Sequence, residues 1–315
     1  MPCFLGIDTS NYTTSAALYD PERGMKQVKK LLPVKSGECG LRQSDAVFHH
    51  TRQLPCIIEE LLSEHEGAIT AIGVSSKPRD AEDSYMPCFT VGLSAARCIS
   101  AALRAPLYTF SHQSGHIAAA AFSAGCTKLF GERFLAFHVS GGTTEAVLVT
   151  PDNERLFSTE LVAATLDLNA GQLIDRTGVM LGLDFPCGAQ LEALAASYGG
   201  KPVGRATLRG CDCCLSGIEN ICRRAYENGA SREETAALCL SCVEKTLLEM
   251  CRRLIERYGE MPVLFAGGVM SDKLIRKSLS EKFNAYFAEP AYSADNAAGT
   301  AFLCSEQHRL IRKNA

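Results

Sequence analysis

Two histidines one helical turn apart, His112 and His116, stand in the segment SHQSGHIAAAAF. On a helix, an i, i+4 pair projects from one face with Cβ atoms roughly 5–6 Å apart, close enough for both imidazoles to hold one cation. His138 closes an apolar run just before Ser140, Gly141 and Gly142, and Asp295 lies in SADNAAGTAF, at the mouth of a helical pattern. Three imidazoles and one carboxylate suit zinc or ferrous iron and are a poor donor set for magnesium. Each residue also has a plainer reading. Histidine pairs arise by accident or as caps, His138 fits a hydrogen-bonded core histidine, and Asp295 fits an N-cap.

A second kind of chemistry resides in small polar turns. Phe4 to Leu18 reads FLGIDTSNYTTSAAL and Phe134 to Leu148 reads FLAFHVSGGTTEAVL, with Phe, Leu, Ser, Thr, Thr, Ala and Leu recurring in register. Both copies have the pattern of strand, tight turn and strand. Self-similarity at this separation points to a duplicated fold whose halves open with the same hairpin. A turn of Ser, Gly and Thr clusters N–H groups and hydroxyls suited to a phosphate or carboxylate oxygen. Ser10 in the first turn and Ser140, Gly141, Gly142 and Thr143 in the second are therefore candidate ligand contacts. Two such hairpins facing each other across a cleft would grip one nucleotide-like molecule. Gly267 and Gly268, in AGGV, form a glycine turn after a strand pattern, where backbone can approach a phosphate closely; alone this is a common feature.

The elements needed to position these residues alternate along the chain. Strand patterns cover Phe4–Ile7, Ala16–Tyr19, Ala71–Val74, Phe134–Val139, Ala146–Val149 and Val263–Phe265. Helical patterns cover Ser44–Ser63, Thr90–Leu103, Leu168–Leu181, Ala189–Tyr198, Leu215–Glu227, Ser231–Tyr258 and Ser271–Leu279, with a final one from about Ala297. This is an α/β pattern with helices covering sheets. A length of 315 residues and 46% hydrophobic content allow two cores. The expected division is an N-terminal lobe over 1–108, a second lobe over 109–296 and a C-terminal helix over 297–315, with Arg104–Thr109 as the hinge. No apolar run reaches the roughly twenty residues of a membrane helix. The chain enters a strand at Phe4 without a basic region or cleavage site, which predicts a cytoplasmic protein. The fifteen cysteines are scattered and read as reduced thiols, Cys211, Cys213 and Cys214 included, since their spacing matches no zinc template. A formal charge of −3 gives no global attraction to nucleic acid, so RNA contact needs a local basic patch or a partner.

Taken together, the motifs resemble the tRNA N6-threonylcarbamoyladenosine transferases, called TsaD or formerly glycoprotease Gcp. The resemblance runs through IDTSNYTTSAAL, PCFTVGLSAARCISAAL, HQSGH, VSGGTT, AGQLIDRTGVMLGLDFPCG, CLSGIENICR, AGGVMSDKLIR and SADNAAGTAF. It implies the duplicated actin-like fold shared with sugar kinases and heat-shock chaperones. It further implies that His112, His116 and Asp295 are ligands of one divalent metal, iron or zinc, and that His138 stands where other members have a tyrosine ligand. Ser140, Gly141 and Gly142 match the loop that holds threonylcarbamoyl-adenylate, and Asp175 and Gly188 match contacts to its adenosine part. The implied reaction is transfer of the threonylcarbamoyl group to N6 of the adenosine following the anticodon in tRNA. Partner proteins are implied too, among them a smaller actin-like paralogue forming a heterodimer.

The chain departs from the family pattern on the acceptor side. Asn11-Tyr12-Thr13-Thr14 replaces Cys-Asp-Glu-Thr, Thr143 replaces a His or Asn, and Asp272 replaces the Asn that would meet the adenylate. Ser76-Lys77-Pro78-Arg79 replaces a Ser-Gly-Pro-Gly segment. Loss of two carboxylates leaves two further functions open: a paralogue that binds metal with an adenylate or ATP and carbamoylates another acceptor, and a non-catalytic nucleotide-binding partner. No activated serine or cysteine with its own general base stands out for proteolysis.

Overall fold

A computed structural model describes residues 2–10, 12–33, 41–65, 67–292 and 297–314. The first elements are β1 (Cys3–Asp8), β2 (Thr13–Asp20), β3 (Gly24–Leu31), α1 (Gln43–Leu62), β4 (Ile69–Lys77), α2 (Phe89–Leu103), β5 (Leu107–Ser111) and α3 (His112–Ser123). Then follow β6 (Phe134–Val139), β7 (Thr144–Asp152), β8 (Leu156–Ala164), α4 (Ala170–Met180), α5 (Gly188–Ser197), β9 (Leu208–Arg209) and β10 (Asp212–Cys213). The chain closes with α6 (Ser216–Glu227), α7 (Arg232–Tyr258), β11 (Val263–Ala266), α8 (Lys273–Lys282), β12 (Ala285–Phe287) and α9 (Ala298–Asn314). Two compact units result: 1–130 with 151–159 and 291–315, and 131–150 with 160–290.

Both units are built on one topology. The first sheet has the order β3-β2-β1-β4-β5, and the second, read as β8-β7-β6-β11-β12, repeats it strand for strand. In each, an antiparallel hairpin (β1 with β2, β6 with β7) lies beside a parallel pair (β1 with β4, β6 with β11). The two halves of the sequence repeat fall on these two hairpins, so the duplication read in the residues is a duplication of the fold.

In the first unit, successive residues of β1 face opposite sides, as strand geometry demands. Leu5 and Ile7 join Leu18, Ile72 and Val74 under α1 and α2, where Leu54, Ile57 and Leu61 form the buried stripe of α1. Phe4 and Gly6 face α9. A Cβ on Gly6 would sit 2.8 Å from Ala301 Cα and 2.6 Å from the Ala297 carbonyl oxygen, and one on Gly73 would sit 2.8 Å from Cys304 Cβ. The small residues Ala297, Ala298 and Ala301 bring α9 that near. In the second unit Leu135, Phe137, Leu148 and Phe265 pack with Leu173 and Ile174 of α4, Leu191 of α5, Ile218 of α6 and Leu240 and Leu247 of α7. The described cysteines are free thiols, most of them buried. No helix among the described residues is long and apolar enough to cross a membrane.

Overpacking a tight core contact costs about 1–3 kcal/mol. Gly6→Ala is expected to lower the unfolding free energy by that amount, read as a lower urea midpoint at unchanged denaturant dependence, because the added methyl meets the backbone of α9, which has no rotamer to change.

Candidate functional site

The loops at the C-terminal ends of β6 and β11 lie side by side, since His138 pairs with Ala266 across the parallel ladder. This edge of a parallel α/β sheet is where ligands bind. After β6 the chain turns through Ser140–Thr143. Ser140 N–H donates to the Thr143 carbonyl at 2.7 Å, and Ser140 Oγ accepts from Thr143 N–H at 3.1 Å and Gly142 N–H at 3.3 Å. Gly141 and Gly142 are exposed, with open space where a Cβ would stand.

Two other glycines hold this turn. Gly171, in the first turn of α4, donates its N–H to the Ser140 carbonyl at 3.1 Å, and a Cβ there would lie 2.7 Å from Gly141 Cα. Ala170 N–H donates to Thr144 Oγ1 at 2.9 Å. The positive end of the α4 dipole is thereby seated against the Ser-Gly-Gly turn, an arrangement that favours an anion. Gly267 has φ 102°. A Cβ there would lie 2.6 Å from the Val139 carbonyl carbon, so only glycine passes. Gly268 then opens a short 3-10 turn, Gly268–Ser271.

Further along α4, Asp175 Oδ1 accepts the Cys187 N–H at 2.9 Å, which ties Asp175 to the start of α5 at Gly188. Burial raises the Cys187 thiol pKa, and the Asp175 and Asp184 carboxylates add to the rise, so this cysteine stays protonated near neutral pH. Asp175 lines a groove of about 580 Å³ with Gln172, Val179, Met180 and Phe185, edged by the Arg176–Glu219–Arg223 ion pairs. Val179 and Phe185 are exposed in it and give it an apolar face.

Asp272 points inward. It caps α8, accepting the Ile275 N–H at 3.0 Å, and is buried. Burial pushes its carboxyl up to about 6 against the opposing pull of the Ile275 N–H, and the Glu192 and Glu244 carboxylates reinforce the rise.

In the first unit, Ser111 ends β5 and caps α3 by accepting the Ser114 N–H at 3.1 Å. This places His112 and His116 on one face of the helix. His112 Nε2 lies 2.9 Å from His116 Nε2, and His112 Nδ1 lies 2.7 Å from Asp8 Oδ2. Two imidazole nitrogens turned toward each other, one ring backed by a carboxylate, fit zinc or ferrous iron; a ligating histidine commonly donates its second N–H to such a group. Ser10, two residues beyond Asp8, has a buried Oγ with no hydrogen-bond partner among the described residues. His138 is half-buried at the end of β6 in the second unit, opposite Glu145. Asp295 lies outside the described residues. Among those described, no group of three or more His, Cys, Asp or Glu is close enough to hold a metal, so His112 and His116 are the two candidate ligands brought together. Sequence reading passed over Asp8, although the repeat aligns it with His138, and over Gly171, whose role depends on a contact remote in sequence.

A family model described as TsaD, tRNA N6-adenosine threonylcarbamoyltransferase, matches residues 36–302. The chain belongs to this family. TsaD is a transferase family acting on tRNA. Among solved structures the chain is similar to component A of (R)-2-hydroxyglutaryl-CoA dehydratase from Acidaminococcus fermentans, at 15% identity over 99% of this chain and 100% of that one, with a TM-score of 0.54. The ROK hexokinase of Thermus thermophilus gives 15% identity, 98% and 99% coverage and a TM-score of 0.53. HypF of T. kodakarensis gives 11% identity and a TM-score of 0.60, matching 99% of this chain and 48% of its own. These likenesses establish the actin-like sugar-kinase fold for this member of the TsaD family.

Because the folded state raises the Asp272 pKa above its ordinary value of 3.8, this carboxyl's contribution to stability is full below about pH 4 and is lost as pH rises through 6. Asp272→Asn keeps the cap and removes the buried charge. The variant is expected to exceed the wild type by about 1–3 kcal/mol at pH 8 and to match it near pH 4, read from urea midpoints.

Proposed function

We propose that this protein transfers the threonylcarbamoyl group of threonylcarbamoyl-adenylate to N6 of the adenosine following the anticodon in tRNA. The observation that carries this reading is the glycine-walled turn Ser140–Thr143, clasped by Gly171 and Gly267 on a TsaD-family chain. In this reading the turn and the α4 N-terminus hold the phosphate, while Asp175 and the groove beside Phe185 hold the adenosine, with Gly188 leaving room at the start of α5. Gly268 and the capped Asp272 form the far wall, and Ser10 lines the first turn. His112 and His116, joined by His138 and Asp295, would hold one iron or zinc ion, which supplies Lewis-acid polarisation and a template for the acyl end. The transfer breaks the bond between the carbamoyl carbon and the phosphate oxygen, forms the bond from that carbon to N6, and releases AMP and the N6 proton. Holding amine and carbon in line is the main task left to the protein. The reading includes partner proteins, among them a smaller actin-like paralogue, and a cytoplasmic location.

One observation favours a second reading, transfer to another acceptor. The family's carboxylates at the first turn are absent. In their place stand Tyr12, half-buried, and Thr13, buried; Thr14, which matches the family's own Thr, turns its Oγ1 into the core, 2.8 Å from both His50 Nδ1 and Gln53 Oε1. Neither Tyr12 nor Thr13 carries a negative charge near neutral pH with which to take up the N6 proton.

The test is a transfer assay with iron- or zinc-loaded protein, threonylcarbamoyl-adenylate, unmodified tRNA and the partner proteins, read by mass spectrometry of the digested nucleosides. Modified adenosine is expected. His116→Ala should lower its yield by more than the roughly 10–100-fold that loss of an outer-shell partner costs. Adenylate consumed without modified adenosine would transfer the assignment to the second reading.

A further inference from the structure

We propose that Asp8 is a positioning residue that fixes the tautomer of His112 for metal binding; this rests on His112 and His116 being metal ligands. Asp8 is 1% exposed at the end of β1, on the strand face shared with Phe4 and Gly6. Its two oxygens have separate partners. Oδ1 accepts the Ser10 N–H at 2.7 Å and holds the first turn; Oδ2 lies 2.7 Å from His112 Nδ1. An ionised carboxylate only accepts, so Nδ1 carries the proton and the lone pair resides on Nε2. That lone pair is turned toward His116 Nε2, 2.9 Å away. Two neighbouring ligands of a tetrahedral zinc with Zn–N distances of about 2.0–2.1 Å are separated by roughly 3.3 Å. The side chains therefore need only a small outward movement to receive an ion.

The sequence repeat supports a role at this position. Asp8 aligns with His138, so the position at or next to the end of the hairpin's first strand is polar in both copies. Asp8 could instead serve only to close the turn through Oδ1. The two roles separate in Asp8→Asn. The amide oxygen can still accept the Ser10 N–H, but the NH2 then faces His112 Nδ1 and donates to it, which moves the imidazole proton to Nε2 and blocks the ligand.

The test uses the full chain, with zinc affinity from competition with a chromophoric chelator and the His112 tautomer from imidazole 15N chemical shifts of the metal-free protein. Asp8→Asn is expected to lower zinc affinity 10–100-fold, to move the His112 proton from Nδ1 to Nε2, and to leave the metal-free melting temperature nearly unchanged. An unchanged tautomer with unchanged affinity would overturn the proposal. His116→Ala, measured alongside, separates two kinds of failure. If it weakens zinc binding and Asp8→Asn does not, only the role of Asp8 falls. If neither variant changes zinc affinity, the metal reading falls and takes the proposal with it.

Discussion

The second unit depends on backbone meeting backbone with no side chain between. Gly171 lies against Gly141, and Gly267 lies against Val139, each at a spacing that a single methyl group would destroy. Close approach of this kind is what glycine supplies, at the cost of a more flexible unfolded chain. The return is positional. The Ser140–Thr143 turn, the first turn of α4 and the loop after β11 are held together by contacts that allow little play. Three short polar segments remote in sequence thus become one surface. Hydrophobic burial beneath them, in the packing of α4 through α7 on the sheet, resists the strain of keeping such segments close.

Much of this arrangement is legible in the residues, and the parts that are not have a common cause. The repeat at Phe4 and Phe134 corresponds to two hairpins in two sheets of identical order. The strand patterns read from apolar runs are β1, β2, β4, β6, β7 and β11. The longer strands passed over, β3, β5, β8 and β12, are the edges of the two sheets. These edge strands are only partly buried, and β12 spans just three residues; β3 reads GMKQVKKL, with its lysines toward water. Its strand state comes from pairing with β2, which no local pattern encodes. The helices, whose periodicity is set by burying one face, were legible to within a few residues at their ends.

The same distinction separates the parts of the candidate site. His112 and His116 were legible as a pair because helix geometry alone brings them together. Asp8 was not, because its meeting with His112 depends on β1, β4 and β5 lying in register and on α3 starting where Ser111 caps it. Asp272 shows what sequence cannot price. The residue type signals a charge at the glycine loop, while burial and two nearby glutamates make that charge costly and turn the side chain into a helix cap. The departures from the family pattern lie in the first hairpin, at 76–79, at Thr143 and at Asp272, while Ser140, Gly141 and Gly142 of the glycine-walled turn are kept.

The proposed adenylate site is the surface formed by these three segments, and hydrogen exchange measures its occupancy. The full-length protein would be followed by mass spectrometry with and without threonylcarbamoyl-adenylate. Slower exchange is expected over 140–144, 169–176 and 266–272 together, with the remainder of the second unit unchanged. Protection confined to other segments, or none at saturating adenylate, would contradict the assignment of this surface as the adenylate site.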